Sequence, residues 1–358
     1  MSTAETRARE GDAPATGRQL LAVEGLRVSF NTEDGVLQAV DGVDFEVGTG
    51  EVVAIVGESG SGKSVTAQTL MGLTRSKNSL IEGSIRFRGK ELINLSDEEL
   101  QRIRGEEMAM VFQDPMTSLN PVYKVGRQIV EAIRAHTEMS DDEAEELAVE
   151  MLRQVGIPEP ERRVGHYPHE FSGGMRQRAM IAMALSLEPE LLIADEPTTA
   201  LDVTIQAQIM RLLKQLNEER DLAVILITHD LGVVAEVADR VLVMYAGRIV
   251  EQGTLDEIFY DPQHPYTWGL LGSLTRLDQE RPRRLPQIRG VPPSLIEPPQ
   301  GCAFRPRCPH AFGKCTKLPP LKARKLDAPG HLDRCWLDPE TKAKKRMVEG
   351  RIGLEEPK

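Results

Sequence analysis

Long hydrophobic runs are missing from this chain of 358 residues. The longest unbroken apolar run is Ala179–Leu185, far short of the ~20 residues that a helix needs to cross a bilayer. We therefore expect no segment to span a membrane on its own. Residues 1–19 also lack the apolar core of a secretory signal, and their small, polar and charged composition predicts a disordered tail on a cytoplasmic protein.

An excess of positive charge is missing as well. The chain has 44 Lys and Arg against 55 Asp and Glu, and its formal net charge is −11. A protein that binds the backbone of nucleic acids normally shows the opposite balance or a strong basic face, so we expect no nucleic-acid partner. An apolar fraction of 40% and a charged fraction of 28% are typical of folded globular domains.

Cysteine is absent before position 302, and all four cysteines lie between Cys302 and Cys335. In a reducing compartment such a group is more typical of a metal site than of disulfide bonds. Proline is concentrated in the same part of the chain, where eleven of 23 fall in residues 281–330. This excludes long helices there and predicts a small, irregular, Cys-rich appendage.

Short apolar strands alternate with helical patterns over most of the chain. Val52–Val56, Leu191–Ala194 and Ala223–Ile227 have the continuous apolar character of strands buried on both faces, and Ile205–Leu216 has apolar residues at helical spacing. This alternation predicts an α/β fold with a largely parallel sheet and crossover helices.

The same patterns divide the chain into regions. We expect one domain over residues 20–256, interrupted by a helical insertion at about 115–188 where helical patterns occur without a strand. A C-terminal domain over 257–340 would carry the four cysteines. The last residues, 341–358, are charged and poor in apolar side chains, which predicts a mobile tail.

The segment Gly57–Ser64 has the pattern G-x-x-x-x-G-K-[ST] between a predicted strand and a helical run. Its glycines allow backbone N–H groups to surround phosphate oxygens at a helix N-terminus. Lys63 would reach the β- and γ-phosphates of ATP, and the Ser64 hydroxyl would bind Mg²⁺. The residues predicted to bind nucleotide in this segment are Gly57, Ser59, Gly60, Ser61, Gly62, Lys63 and Ser64.

Two further motifs have side chains that suit a nucleotide. Asp195 and Glu196 end the apolar run Leu191–Ala194. Asp195 fits the carboxylate that organises Mg²⁺, and Glu196 is placed to orient or deprotonate an attacking water. Upstream, Ser172-Gly173-Gly174 precedes a helical run, and a turn of this kind before a helix suits an anion.

The motifs, in this order, resemble those of the ATP-binding cassette (ABC) ATPases. They are the phosphate loop 57–64, a Q-loop Gln113, the signature 171–175, the strand 191–196, a D-loop Ala200-Leu201-Asp202 and a switch His229. The signature departs from the family's L-S-G-G-Q at both ends, with Phe171 in place of Leu and Met175 in place of Gln. The central Ser-Gly-Gly, which touches nucleotide in the family, is retained.

The resemblance implies a P-loop NTPase cassette, with a RecA-like core, an antiparallel β-subdomain and a helical insertion. It also implies a head-to-tail dimer, with two ATP molecules between the phosphate loop of one subunit and the signature of the other. On this mapping Gln113 senses Mg²⁺ and the attacking water, Glu196 is the catalytic carboxylate and His229 contacts the γ-phosphate. Asp202 would also contact nucleotide, and the aromatic that stacks on adenine falls near Phe30.

A closer resemblance, over about residues 20–340, is to the ATPases of oligopeptide and dipeptide importers. It is carried by residues 113–121, by residues 171–178 and by His264–Thr267 followed by the Cys-rich tail. Residues 194–202 are similar to the subunit labelled D in that group rather than to its partner F. The resemblance implies ATP-driven peptide uptake at the cytoplasmic face of the membrane, with a related second ATPase, two permeases and an extracytoplasmic binding protein.

Other functions remain open from the sequence. Relatives of this importer group also transport nickel complexes or sugars. A soluble ABC ATPase that acts on nucleic acid or ribosomes is the alternative from another class, favoured only by the stretch 301–326, which has seven Lys or Arg and no acid. Such proteins commonly have two cassettes or long coiled coils, and this chain shows one cassette without sustained heptads.

The cysteines have the spacing C-x5-C-x6-C-x19-C, at Cys302, Cys308, Cys315 and Cys335. Structural zinc sites favour C-x2–4-C pairs, whereas wide spacing suits a [4Fe–4S] cluster, in which each iron has its own cysteine. Positive side chains that would favour thiolates are close in sequence, at Arg305, Arg307, Lys314 and Lys317. We predict the cluster, with zinc or free thiols as alternatives.

Overall fold

The computed structural model describes residues 18–199, 201–273, 288–323 and 328–348. Four predicted features lie wholly or partly outside the described residues. They are the N-terminal tail up to residue 17, Ala200 of the D-loop, residues 274–287 and 324–327 of the C-terminal domain, and the C-terminal tail from residue 349.

Strands and helices alternate through the described residues. The strands are β1 (Gln19–Thr32), β2 (Gly35–Gly48), β3 (Val52–Val56), β4 (Ser79–Phe87), β5 (Lys90–Glu91), β6 (Met108–Val111), β7 (Leu191–Asp195), β8 (Ala223–Thr228), β9 (Arg240–Tyr245), β10 (Arg248–Thr254), β11 (Lys322–Ala323) and β12 (Leu332–Asp333). The helices are α1 (Lys63–Leu70), α2 (Asp97–Ile103), α3 (Pro115–Ser118), α4 (Val125–Arg134), α5 (Asp141–Gln154), α6 (Pro160–Arg163), α7 (Gly173–Leu185), α8 (Val203–Arg220), α9 (Leu231–Val237), α10 (Leu255–Tyr260), α11 (Pro265–Gly272) and α12 (Pro339–Val348).

A sheet of eight strands forms the centre of the cassette, in the order β11-β12-β10-β9-β3-β8-β7-β6. β3 pairs in parallel with β8 on one side and with β9 on the other, and β7 pairs in parallel with β6 and β8. Every residue of β3, β7 and β8 is buried, because helices cover one face of the sheet while α1 and a second sheet cover the other. The predicted largely parallel α/β sheet is confirmed.

A second, antiparallel sheet has the order β2-β1-β4-β5. β1 and β2 form a hairpin whose strands are joined by a two-residue turn after Thr32. Apolar residues on the inner face of this sheet, among them Leu26, Val28 and Val40, share a core with Ile55 of β3. The sheet therefore covers one face of the parallel sheet, next to the end of β3.

Helices α3 to α7 form the segment between β6 and β7. No strand occurs between residues 112 and 190, a range whose backbone is described throughout. Ile129 and Ile133 of α4, Leu152 of α5 and Ile181 of α7 are fully buried in one core. The small helical unit therefore has its own apolar interior, which continues into that of the sheet.

The C-terminal region is joined to the main sheet. β12 pairs antiparallel with β10, and β11 pairs with β12, so these two short strands extend the sheet beyond β10. Tyr266 and Trp268 of α11 are almost completely buried. Within the proline-rich range, residues 288–321 contain no strand or α-helix, while β11 and β12 join the main sheet, since such short strands leave no clear periodic signal.

The predicted mobile tail also differs from the structure where it is described. Residues 339–348 form helix α12, whose Lys342 side chain is 1% exposed and lies 2.8 Å from the carboxylate of Asp333. The charged composition of this segment did not predict that Lys342 is buried. The reason is that the buried positive charge is paired with an equally buried acid, a contact that only the fold brings about.

Candidate active site

Three predicted motifs meet at one edge of the parallel sheet. The phosphate loop (Gly57–Ser64) follows β3, Asp195 and Glu196 end β7, and His229 follows β8. Because β3, β8 and β7 are adjacent and parallel, their carboxyl ends lie side by side. Gln113, which follows β6, reaches the same edge from the neighbouring strand.

Glycine is required at two positions of the phosphate loop. Gly62 has φ +102°, and a Cβ there would lie 2.4 Å from the carbonyl oxygen of Ala39. A Cβ on Gly57 would lie 2.1 Å from the carbonyl oxygen of Met244. The loop therefore packs directly against backbone on two sides, which only glycine permits.

The tip of the phosphate loop is more open. Ser59 and Gly60 are exposed, and a Cβ on Gly60 would meet nothing within 4 Å. Ser61 is buried, and its hydroxyl oxygen has no hydrogen-bond partner among the described residues. Such a buried polar atom suits a ligand that hydrogen-bonds to it.

Lys63 begins α1 and points back along the loop. Its side chain is buried, and the ammonium group donates hydrogen bonds to the carbonyl oxygens of Gly57 (2.8 Å) and Glu58 (3.0 Å). Burial lowers the pKa of Lys63, while the nearby carboxylates of Glu196, Asp195 and Glu58 act in the opposite direction. The cation is thus held at the helix N-terminus, where phosphate would enter.

Ser64 and Asp195 are brought together by the parallel pairing. The Ser64 hydroxyl donates a hydrogen bond of 2.9 Å to the Asp195 carboxylate. Burial raises the pKa of Asp195, although this hydrogen bond counteracts part of the effect. A hydroxyl and a carboxylate oxygen side by side are donors that Mg²⁺ prefers, so these residues fit the predicted metal.

Glu196 is the centre of a group of polar side chains. Its Oε2 accepts hydrogen bonds from Gln113 Nε2 (3.2 Å) and Thr199 Oγ1 (2.8 Å), and His229 Nδ1 lies 3.4 Å away. Glu196 has φ +47°, a sparsely populated conformation for a residue with a side chain. The structure thus brings together all three predicted catalytic residues, and it adds Thr199.

Thr199 was not predicted from the sequence. It stands four residues after Asp195 in the run Pro197-Thr198-Thr199, which is a common kind of turn sequence. Only the reversal of the chain after Glu196, stabilised by the Thr199 N–H donating to the Glu196 carbonyl oxygen at 3.2 Å, directs its hydroxyl to the carboxylate.

The signature turn lies at the start of α7. The Ser172 side chain accepts a hydrogen bond from the Met175 N–H and caps the helix, and both Ser172 and Gly173 are exposed. A Cβ on Gly174 would lie 2.7 Å from Cγ2 of Ile205 in α8. Asp202 caps α8 in the same way, accepting from Ile205 N–H at 3.0 Å. The described residues show no hydrogen bond between this turn and the phosphate loop.

Phe30 lies in the antiparallel sheet. It sits on β1, opposite Leu37 of β2 and Ser79 of β4, and it is half-buried against the core that the two sheets share. One part of its ring area therefore remains available for another contact.

The four cysteines line one small cavity in the C-terminal region. Cys315 and Cys335 are buried, while Cys302 and Cys308 are half-buried. Burial raises the pKa of Cys302 and raises that of Cys335 to about 12. The positive charges of Arg305, near Cys302, and of Lys342, near Cys335, act in the opposite direction, but their effect is smaller than that of desolvation.

Among the residues that the structure describes, no three His, Cys, Asp or Glu side chains lie close enough together to hold a metal ion. The cluster therefore stays a prediction.

Two protein families match this chain, and one of the matches includes residues of the site. The family described as "ABC transporter" matches residues 40–199, which include the phosphate loop, Gln113, the signature and Glu196. The family described as "Oligopeptide/dipeptide transporter, C-terminal region" matches residues 250–315. The oligopeptide transport ATP-binding protein OppD of Bacillus subtilis is 58% identical over 89% of this chain and 89% of its own length.

This chain belongs to the ABC transporter ATPases. OppD of Salmonella typhimurium is 54% identical over 94% of this ABC ATPase and 98% of the relative, and the dipeptide transport ATP-binding protein DppD of Bacillus subtilis is 53% identical over 93% and 98%. A solved dimer of the ATP-binding cassette MJ0796 with ADP and Pi has a TM-score of 0.60 and 30% identity, covering 66% of this chain and 99% of that one. The predicted cassette fold is confirmed.

Within the described ranges, no helix combines the length and the hydropathy that crossing a bilayer requires.

Proposed function

We propose that this ABC ATPase hydrolyses ATP to power the uptake of dipeptides or oligopeptides through an importer. The observation that carries the proposal is the cluster of Gln113, Thr199 and His229 around Glu196, beside the Ser64–Asp195 pair. The C-terminal region and the relatives named for oligopeptide and dipeptide transport favour peptides over nickel, sugars or nucleic acid.

The phosphate loop is proposed to bind the triphosphate of ATP through its backbone N–H groups, the Lys63 ammonium and the buried Ser61 hydroxyl. Ser64, Asp195 and Gln113 would hold Mg²⁺, which neutralises phosphate charge when bound. The half-buried Phe30 would stack on adenine.

Glu196 is proposed as the catalytic carboxylate. Hydrogen bonds from Gln113 and Thr199 hold it in one orientation, from which it can accept a proton from an attacking water. His229 is 60% exposed, so its imidazole can reach toward a γ-phosphate as well as toward Glu196.

A dimer is proposed to complete each site. Ser172, Gly173 and Asp202 are exposed in the single chain, and capping of α7 leaves the remaining N–H groups of its first turn pointing outward. These groups would bind the nucleotide held by the phosphate loop of a second, related ATPase subunit. The solved MJ0796 dimer is a precedent for such pairing in a similar cassette.

The permease is proposed to dock in an apolar groove beside the catalytic group. This insertion groove lies between the end of α1, the end of β6, α4 and α7, and its lining includes Met71, Leu73, Phe112, Ala135, Met183 and Leu187. Phe112 directly precedes Gln113, so a segment seated in the groove lies one residue from the group that contacts Glu196. This would place the chain at the cytoplasmic face of the membrane.

Affinity purification of the tagged chain from detergent-solubilised native membranes tests the importer assignment. We expect recovery of two multi-span permeases, a second ATPase and an extracytoplasmic binding protein. Leu73→Asp should abolish permease recovery, because it puts a charge on an apolar contact whose side chain is already 44% exposed in the free chain. Mass spectrometry of the recovered chains is the measurement.

Leu80→Asp is the matched control, since Leu80 is 58% exposed but lies on β4 in the antiparallel sheet. It should recover the permeases as the parent chain does. Recovery of ribosomal or nucleic-acid proteins alone would refute the importer assignment, and equal recovery by both variants would refute docking in the insertion groove.

The cysteine cavity is proposed to hold a [4Fe–4S] cluster. Its support is that Cys302, Cys308, Cys315 and Cys335 line one cavity, and that their wide spacing in sequence suits a group in which each iron has its own cysteine. Bound there, the cluster would join turns that are too short to form a core of their own. Zn²⁺ is the alternative.

Anaerobic purification followed by metal analysis tests the cluster. We expect a broad absorbance near ~400 nm and iron and sulfide in equal amounts, as four-cysteine clusters have. Cys335→Ser should lower the iron content and the absorbance together, whereas Ser294→Ala, outside the cavity lining, should change neither. Zinc without iron would refute the cluster.

A further inference from the structure

Residues of the C-terminal region contact the phosphate loop at Glu58. The Glu58 N–H donates to the Tyr266 hydroxyl at 2.8 Å. Its carboxylate accepts two hydrogen bonds from the Arg307 guanidinium, at 2.5 and 3.0 Å. Its carbonyl oxygen accepts from Lys63, so one residue connects the C-terminal region to the phosphate-binding lysine.

Arg307 is held in place by contacts with the protein itself. Its side chain is only 4% exposed, its Nε donates to the carbonyl oxygen of Arg289 at 3.0 Å, and its guanidinium lies 5.8 Å from the centre of the Tyr245 ring. Two parallel hydrogen bonds to a carboxylate are strong and directional. Arg307 can therefore hold Glu58 in one orientation at little entropic cost.

The turn that carries Arg307 is braced as well. The Cys308 N–H donates to the Phe304 carbonyl oxygen at 2.9 Å, and the Cys302 N–H donates to that of Cys315 at 3.0 Å. The Phe304 ring lies against Tyr245 and Tyr266, with ring centres 5.3 and 5.4 Å away. Arg307 and Tyr266 therefore approach the phosphate loop as parts of one packed unit.

The charge of Glu58 would affect ATP binding if Arg307 did not pair with it. The Glu58 carboxylate is 28% exposed and belongs to the loop that would receive a polyanion. Without Arg307 it would be a partly buried, unpaired negative charge next to the triphosphate, and it would be free to draw Lys63 toward itself. When Glu58 is paired with Arg307, the net charge beside the phosphate loop is closer to zero.

We propose that Arg307 is a positioning residue for ATP binding: through Glu58 it orients the phosphate loop and cancels a negative charge beside it. The inference rests on the proposal that the phosphate loop binds ATP. It assigns the C-terminal region a role in the hydrolysis cycle.

Steady-state ATP hydrolysis by the full-length chain tests this role. Arg307→Met should raise the KM for ATP about 10-fold and change kcat less than about 2-fold, since the lost contact affects binding rather than the catalytic carboxylate. The double variant Glu58→Gln with Arg307→Met should recover to within about 3-fold of the parent KM, because no unpaired charge remains. If Arg307→Met raised KM only because packing is lost, adding Glu58→Gln would not lower KM again.

Lys317→Met is the matched control, because it removes one positive charge at an exposed position of the same segment, and it should leave KM unchanged. Arg307→Lys, which keeps the charge but loses the paired hydrogen bonds, should give an intermediate KM and remains informative if Arg307→Met does not fold. An unchanged KM in both Arg307 variants, or a double variant as impaired as Arg307→Met, would overturn the proposal. Failure of the parent chain to bind ATP would refute the proposed function instead.

Discussion

Replacing Glu196 by glutamine is expected to lower ATP hydrolysis at least ~100-fold while ATP binding is retained, because a positioned base is usually worth a factor of that size. Glutamine keeps the shape of the side chain and can still pair with Gln113, Thr199 or His229, but it cannot accept a proton from water. Single-turnover hydrolysis and ATP titration on the same preparation measure the two effects separately.

Glu188→Gln is the matched control for this experiment. Glu188 has φ +53°, close to the +47° of Glu196, and its carboxylate is 80% exposed beside Arg220. The same substitution there removes a carboxylate from the same backbone conformation, and it should leave turnover unchanged. Near-normal turnover by Glu196→Gln would eliminate Glu196 as the base.

Replacing Gly62 by alanine is expected to weaken ATP binding at least ~30-fold. The new Cβ would lie 2.4 Å from the Ala39 carbonyl oxygen, and φ at +102° is strained for any residue with a side chain. A strained backbone position costs roughly 1–3 kcal/mol, and relief of the clash must move the loop away from β2. Titration with a fluorescent ATP analogue, with thermal unfolding recorded in parallel, measures the loss.

Gly60→Ala is the control that adds backbone strain without a steric clash. Gly60 has φ +75°, but a Cβ there meets nothing within 4 Å. Its variant should lose less ATP affinity than Gly62→Ala, since about 1–2 kcal/mol of backbone strain is added without a clash. Equal ATP binding by the two variants would show that the packing of Gly62 against Ala39 does not determine the conformation of the phosphate loop.

Much of the fold and of the candidate site could be predicted because the signals are local in sequence. The continuous apolar runs of β3, β7 and β8 indicate strands that are buried on both faces, and this predicted a parallel sheet that is covered on both sides. Once those strands are adjacent, the motifs at their carboxyl ends must meet. The Ser64–Asp195 and Gln113–Glu196 contacts follow from that pairing.

The features that escaped prediction depend on contacts between distant segments. Thr199 reaches Glu196 only because the chain reverses after β7. The burial of Lys342 depends on Asp333, which lies on another element. Charged residues of this kind are usually exposed, so their sequence pattern points away from the interior.

The amino-acid sequence by itself determined the ABC ATPase cassette, its phosphate loop and the residue types around the hydrolysable bond, because these are encoded by short motifs and hydrophobic periodicity. Only the tertiary structure decided that the C-terminal region extends the main sheet, surrounds a cavity with four cysteines and holds Glu58 through Arg307. The physical reason is that Glu58 and Arg307 are 249 residues apart, and a bidentate ion pair across that separation exists only after both segments have packed.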